Sequence, residues 1–344
     1  MKKALTVLIL AAATLSAQSQ QLPRSTPQAE KFNAAAVNDY LAAVKESKQD
    51  LHSIMVLRHG KVIAETWLGD NAADKPHILN SVSKTFTATA IGFLVAEKKL
   101  KLTDKVISFF PEYLPDTVNQ YLKDLNIKDL LTMSVGHDVN KMERTKSNDW
   151  IRLFLSNPIT EKPGTQFAYN SIGTYMLSAI VTKITGQKLI DYLTPRLFQP
   201  LGITGARWEE DPQGKNNTGG WGLFIKTEDM AKLGQFILQK GNWNGKQLLP
   251  KSWFDQATSI QIASLPAGVK KEDVKVKKED SDWLQGYGYQ MWMCRYDAYR
   301  ADGARGQFII ILPKYDAVIV ATADIGDMQA EINLIWRYLL PAFS

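Results

Sequence analysis

Strand-like segments lie at both ends of this chain and helical periodicity fills the middle, and that order restricts the fold more than any other feature. Two apolar runs, Ile54 to Leu57 and Val62 to Trp67, flank a turn at His59-Gly60 and read as a hairpin. Ahead of them Phe32 to Val44 has helical spacing. Residues 81 to 200 carry helical periodicity around Ile91, Leu130, Ile151 and Met176, interrupted by breakers such as Pro163-Gly164. Strand patterns return at Tyr287 to Met293, Gln307 to Leu312 and Ala317 to Thr322, and an amphipathic helix around Ile332 to Leu340 closes the series. A parallel doubly wound sheet needs strands and helices in regular alternation, which is missing. The predicted class is α+β: one antiparallel sheet assembled from both chain ends and flanked by helices, plus a helical subdomain, with a cleft between the two parts. The expected organisation is a single domain over residues 30–344, its α/β part at about 30–80 and 215–344 and its helical part at about 81–214.

Composition narrows the function classes. With 344 residues, 45% of them hydrophobic, the chain can bury a large core. Met1, Lys2 and Lys3 precede an uncharged, mostly apolar run from Ala4 to Leu15, with small residues at Ala17 and Ser19, the pattern of a signal peptide over residues 1–19. That run is too short to span a bilayer, and no later stretch is long enough. The expectation is a periplasmic or secreted protein without stable membrane insertion. Cys294 is the only cysteine, so no intrachain disulfide can form. The net charge of +6 owes much to one run, Lys270 to Lys278, interleaved with Glu272, Asp273 and Glu279, which reads as a solvated surface insertion rather than a nucleic-acid surface. His52, His59, His77 and His137 lack metal-ligand spacing, and neither a Gly-x-Ser-x-Gly elbow nor a phosphate-binding loop occurs. No metal and no cofactor are expected.

Between Pro76 and Ala96 the only formal charge is Lys84. Its neighbours Val82, Phe86, Ala90, Ile91, Leu94 and Val95 are apolar and the rest are small, so the helix is expected to be buried nearly all round. A buried unpaired ammonium is costly and needs a reason. Ser81 supplies one, because residues three apart share a helix face. Burial lowers a lysine pKa, and a neutral amine can take the proton of Ser81 as it attacks a carbonyl. A serine in the first helical turn also has free backbone N–H groups nearby for an oxyanion. A second uncharged block, Thr165 to Thr182, carries Tyr169, Asn170 and Ser171. One reading is a hydrogen-bonded core cluster; the other makes Tyr169 a proton shuttle and lets Asn170 or Ser171 orient substrate. The turn Ala301 to Gln307 is glycine-rich, either for tight bending or to let backbone approach a ligand. Trp221, Trp283 and Trp292 are candidates for a pocket wall, with core packing as the alternative.

These motifs resemble the serine β-lactamase-related hydrolases, the superfamily of class C β-lactamases, penicillin-binding DD-peptidases, family VIII esterases and 6-aminohexanoate-dimer hydrolases. The block Asn80-Ser81-Val82-Ser83-Lys84-Thr85-Phe86-Thr87 is similar to that family's first motif, and likeness continues through Leu100 to Pro111, Leu130 to Gly136, Pro163 to Leu177, Gly219 to Gly234 and Asp302 to Pro313. The resemblance implies Ser81 as acylated nucleophile, Lys84 as base, Tyr169 as the second-motif tyrosine, and the N–H groups of Ser81 and Ala304, beside Gly303, as oxyanion hole. Two departures stand out: Tyr169-Asn170-Ser171 replaces Tyr-x-Asn, and Ala301-Asp302-Gly303 replaces Lys-Thr-Gly or His-Thr-Gly. The latter removes a cation that holds a substrate carboxylate. Arg300 and Arg305 are the candidates to replace it, and Asp302 would repel an anion if it faced the cleft. The expected substrate is an uncharged ester or short amide; the alternatives are a β-lactam or cell-wall peptide, and a catalytically silent peptide-binding protein.

Overall fold

A computed structural model describes residues 21–138 and 144–344; the signal-peptide segment lies outside them. The helices are α1 (Ala35–Glu46), α2 (Ser83–Ala96), α3 (Gln120–Asp124), α4 (Ile127–Leu131), α5 (Trp150–Ser156), α6 (Ser171–Thr185), α7 (Leu189–Leu193), α8 (Thr227–Leu238), α9 (Lys251–Ala257) and α10 (Met328–Leu334). The strands are β1 (Leu51–Arg58), β2 (Lys61–Trp67), β3 (His77–Ile78), β4 (Arg207–Trp208), β5 (Leu223–Ile225), β6 (Asn242–Trp243), β7 (Lys246–Gln247), β8 (Trp292–Met293), β9 (Tyr299–Gly303), β10 (Gln307–Leu312) and β11 (Ala317–Ala323).

The main sheet has the order β2-β1-β11-β10-β9-β8. Its central ladder joins the chain ends: β1 runs antiparallel to β11, with Ile54 opposite Ala321 and Val56 opposite Ile319. Both strands are apolar on both faces, because α8 covers one face while α1 and α10 cover the other. The predicted α+β class and the antiparallel sheet drawn from both ends are therefore observed. Two details differ from expectation. Most of Tyr287 to Met293 is not strand: only Trp292 and Met293 pair with β9, and Gln290 turns through a positive φ of 57°. Its side chain is spent inside, with Nε2 donating to the carbonyls of Leu130 and Leu131 and Oε1 accepting from Thr174. A small second sheet, β3-β5-β4, also goes unforeseen because two- and three-residue strands carry no readable alternation.

The sheet's outer face hides one acid. Glu331 on α10 is fully buried and accepts a hydrogen bond from Tyr40 of α1, while its second oxygen has no partner among the described residues. Burial pushes its carboxyl up to about 7. A raised folded-state pKa means the native protein holds a proton that the unfolded chain releases, so stability declines as pH rises from about 4.5 to about 7. Glu331→Gln removes that dependence. Thermal unfolding should show the variant matching wild type at pH 5 and exceeding it at pH 8, by on the order of 2 kcal/mol; parallel pH profiles would refute the assignment.

Candidate active site

Ser81 lies in a single 3-10 turn, Asn80–Val82, immediately ahead of α2 and not within its first α-turn. Every residue of α2 from Ser83 to Leu94 is buried, as the uncharged sequence requires. Lys84 is only 1% exposed. Its Nζ donates to Ser81 Oγ at 2.9 Å, to Ser171 Oγ at 3.0 Å and to the Gly220 carbonyl at 2.6 Å. No carboxylate among the described residues pairs with it. Burial drives its pKa down to about 7, the Arg144 charge adds to the fall, and Asp302 opposes it.

Those three partners fix which way the neutral amine points. A neutral amine keeps two N–H bonds and exposes one lone pair. The Gly220 carbonyl can only accept, so it retains one N–H, and the lone pair is left to one of two hydroxyls, Ser81 or Ser171. The third-position serine of Tyr169-Asn170-Ser171 thus occupies a place beside the lysine.

Tyr169 comes from the segment before α6. Its ring centroid is 4.9 Å from Lys84 Nζ and its face stacks on Trp292 at 5.7 Å. Its hydroxyl bonds to Ser81, and burial pushes the phenol well above its ordinary pKa. The phenol stays protonated at neutral pH, which suits it to passing a proton and leaves the role of base to Lys84.

The third wall is the β9 end. Gly303 presses backbone against backbone there: a Cβ at that position would lie 2.3 Å from the Leu79 carbonyl oxygen and 3.1 Å from the Val82 nitrogen. The Asn80 side chain, on a residue with φ of 48°, donates to the Ala304 carbonyl at 2.8 Å. Ala304 is thereby tied to the serine turn.

Several expectations change. Asn170 is not a cleft residue: it is 3% exposed and caps α6, its side chain accepting from the Gly173 N–H at 2.9 Å. Arg300 does not replace the missing cation, since it is fully buried, donates from Nε to Asp302 at 2.8 Å, and lies 4.5 Å from the Trp283 ring. Arg305 is exposed and paired with Asp324. Asp302, being engaged by Arg300, does not present a free charge to the cleft. Trp221 does stand near the centre, following Gly220 in sequence, with the Arg144 guanidinium 4.2 Å over its ring.

Asn80 and Gly220 went unassigned in the sequence. Their signals were an asparagine, which tolerates positive φ, and the Gly219-Gly220 pair, which lets a loop lie against α6. A cavity of about 330 Å3 opens next to Tyr169, between Phe167, Leu265 and Val269, with Glu161 and the exposed residues Lys270 to Glu272 at its edge. Among the described residues no three His, Cys, Asp or Glu side chains are grouped to hold a metal ion, and no helix is long and apolar enough to cross a membrane.

Comparison with known proteins agrees with this geometry. The family described as Beta-lactamase matches residues 4–338. A 6-aminohexanoate-dimer hydrolase of Paenarthrobacter ureafaciens is 24% identical over 291 residues, 78% of this chain and 71% of that protein. A protein named flp from Staphylococcus aureus (strain N315) is 26% identical over 196 residues; the match spans 52% of this chain and only 39% of that relative. The fold matches an octameric penicillin-binding protein homologue from Pyrococcus abyssi with a TM-score of 0.69 at 17% identity, covering 89% of this chain and 77% of that one.

The close approach at Gly303 is testable without any substrate. Gly303→Ala should lower stability by about 1–3 kcal/mol through overpacking against the serine turn, whereas Gly326→Ala, where nothing lies within 4 Å, should leave it nearly unchanged. Equal melting temperatures for the two variants would contradict the packing described.

Proposed function

The chain belongs to the Beta-lactamase family of hydrolases, and from that premise we propose that it cleaves an ester or short amide through an acyl-enzyme on Ser81. The observation that carries this reading is Lys84, a buried amine with no acidic partner among the described residues, 2.9 Å from Ser81 Oγ and with its pKa brought to about 7. In the first step Lys84 takes the Ser81 proton as Oγ bonds to the substrate carbonyl carbon. The oxygen of the tetrahedral adduct is held by the backbone N–H groups of Ser81 and Ala304. The protonated Lys84, assisted by Tyr169, then returns its proton to the leaving alcohol or amine as the carbon–heteroatom bond breaks. Water attacks the acyl-enzyme, Lys84 accepts its proton, and Ser81 is released when that proton returns to Oγ.

Similarity to a 6-aminohexanoate-dimer hydrolase supports a linear amide or ester over a strained ring. The third motif supports the same choice, because Ala301-Asp302-Gly303 supplies no free cation there. We further propose that the product is exported, on the leader-like Met1 to Ser19; N-terminal sequencing of protein recovered outside the cytoplasm checks this.

Incubation with a fluorophosphonate should add one mass increment at Ser81 in the folded wild type and none in Ser81→Ala. Absence of any adduct in correctly folded protein would leave a binding-only role as the better reading. Hydrolysis of p-nitrophenyl esters should rise with pH through an acid limb near 7, since only the neutral amine acts as base. Lys84→Ala should lose about 100-fold or more in kcat.

A further inference from the structure

The cation missing from the third motif has a counterpart elsewhere in the cleft. Arg144 heads a short turn after α4, and its backbone carbonyl accepts a hydrogen bond from the Trp150 indole N–H at 3.1 Å. The same indole N–H reaches the Ser147 carbonyl at 3.1 Å, so the turn is pinned at both ends. Trp150 packs in turn on Trp221, with ring centroids 5.4 Å apart, and on Tyr175 at 5.2 Å. The Arg144 guanidinium lies 4.2 Å above the Trp221 ring. Trp221 directly follows Gly220, whose carbonyl holds Lys84 Nζ at 2.6 Å. Arg144 is thus laid on an aromatic shelf one residue from the group that anchors the lysine.

Charge at the cleft singles it out. Arg300 is consumed by Asp302 and Arg305 by Asp324. Arg144 is exposed and forms no ion pair with a carboxylate among the described residues. Stacking leaves the edge of a guanidinium free, and that edge presents two parallel N–H donors to a carboxylate.

We propose that Arg144 is a specificity-determining residue that binds a carboxylate on the substrate, so that the preferred ester or amide is anionic and carries its acid group a few bonds from the scissile carbonyl. The proposal rests on the Ser81 reading for its turnover test, and corrects the expectation of an uncharged substrate. Arg144 also lies close enough to Lys84 to lower its pKa, and a bound carboxylate would offset that influence.

The test compares mono-p-nitrophenyl succinate, glutarate and adipate with p-nitrophenyl butyrate. Wild type should favour at least one anionic ester by about tenfold or more in kcat/KM, the scale of one charge-assisted contact. Arg144→Gln should bring that ratio near one, Arg144→Lys should restore part of it, and Arg144→Glu should reverse it. A wild-type ratio at or below one, or a ratio unmoved by Arg144→Gln and Arg144→Glu, overturns the proposal. Binding of glutaramate against glutaramide, followed by tryptophan fluorescence, needs no turnover. Tighter glutaramate binding lost in Arg144→Gln, without ester hydrolysis, upholds the carboxylate site and rejects the Ser81 reading. Hydrolysis with no anion preference in either assay does the converse.

Discussion

Everything at the centre of this molecule is arranged around an amine that has been denied a counter-ion. Lowering a lysine from 10.5 to about 7 represents on the order of 5 kcal/mol of lost charge stabilisation. A carboxylate beside it would recover that energy and also lock the proton in place. Here three neutral oxygens surround Nζ, enough to hold its position and too weak to hold its charge. The cost is borne by the packing of α2, where Val82, Phe86, Ile91 and Leu94 are wholly buried between the sheet and α6. A surface helix could not supply that environment, so the burial of α2 is a condition of the chemistry as much as of the fold.

Partners of the lysine come from separate parts of the chain, each held by its own local device. Ser171 begins α6 and is set by the Asn170 cap. Gly220 reaches Nζ because glycine lets the loop approach α6, where a Cβ would fall 2.8 Å from the Ser171 carbonyl oxygen. Tyr169 is fixed by its stack on Trp292, which in turn faces the Arg300 guanidinium at 5.7 Å. Arg300 and Asp302 therefore serve the site from behind: they support an aromatic wall and cancel one another.

The fold was readable where periodicity was long and sharp. The hairpin, β10, β11 and the buried helix α2 all follow from apolar pattern, and the pairing of chain ends follows from having strands only there. Tyr287 to Met293 misled because alternating aromatics mimic a strand, whereas the actual order comes from Gln290 bonding to α4 and α6. Ser81, Lys84 and Tyr169 were legible because an uncharged setting and ordered motifs isolate them. Gly220 and the stack of Arg144 on Trp221 were not, since a carbonyl has no sequence signature and a stack depends on two segments far apart in the chain. Asn170 looked chemical because a buried amide is unusual; its use as a helix cap could be known only once the start of α6 was fixed.

The ladder between β1 and β11 has a consequence for how the protein comes into being. Leu51 and Ala323 are paired in it, and the β9 turn that braces Ser81 lies just ahead of β11. A ribosome adding about 5–20 residues per second makes the nucleophile tens of seconds before it makes the strand that seats it. Through that interval Ser81 and Lys84 exist without the Gly303 contact or the clasp of Asn80 on Ala304. The nascent chain thus carries its reactive pair unassembled past the translation machinery, and its competence begins only when the last strand closes the sheet.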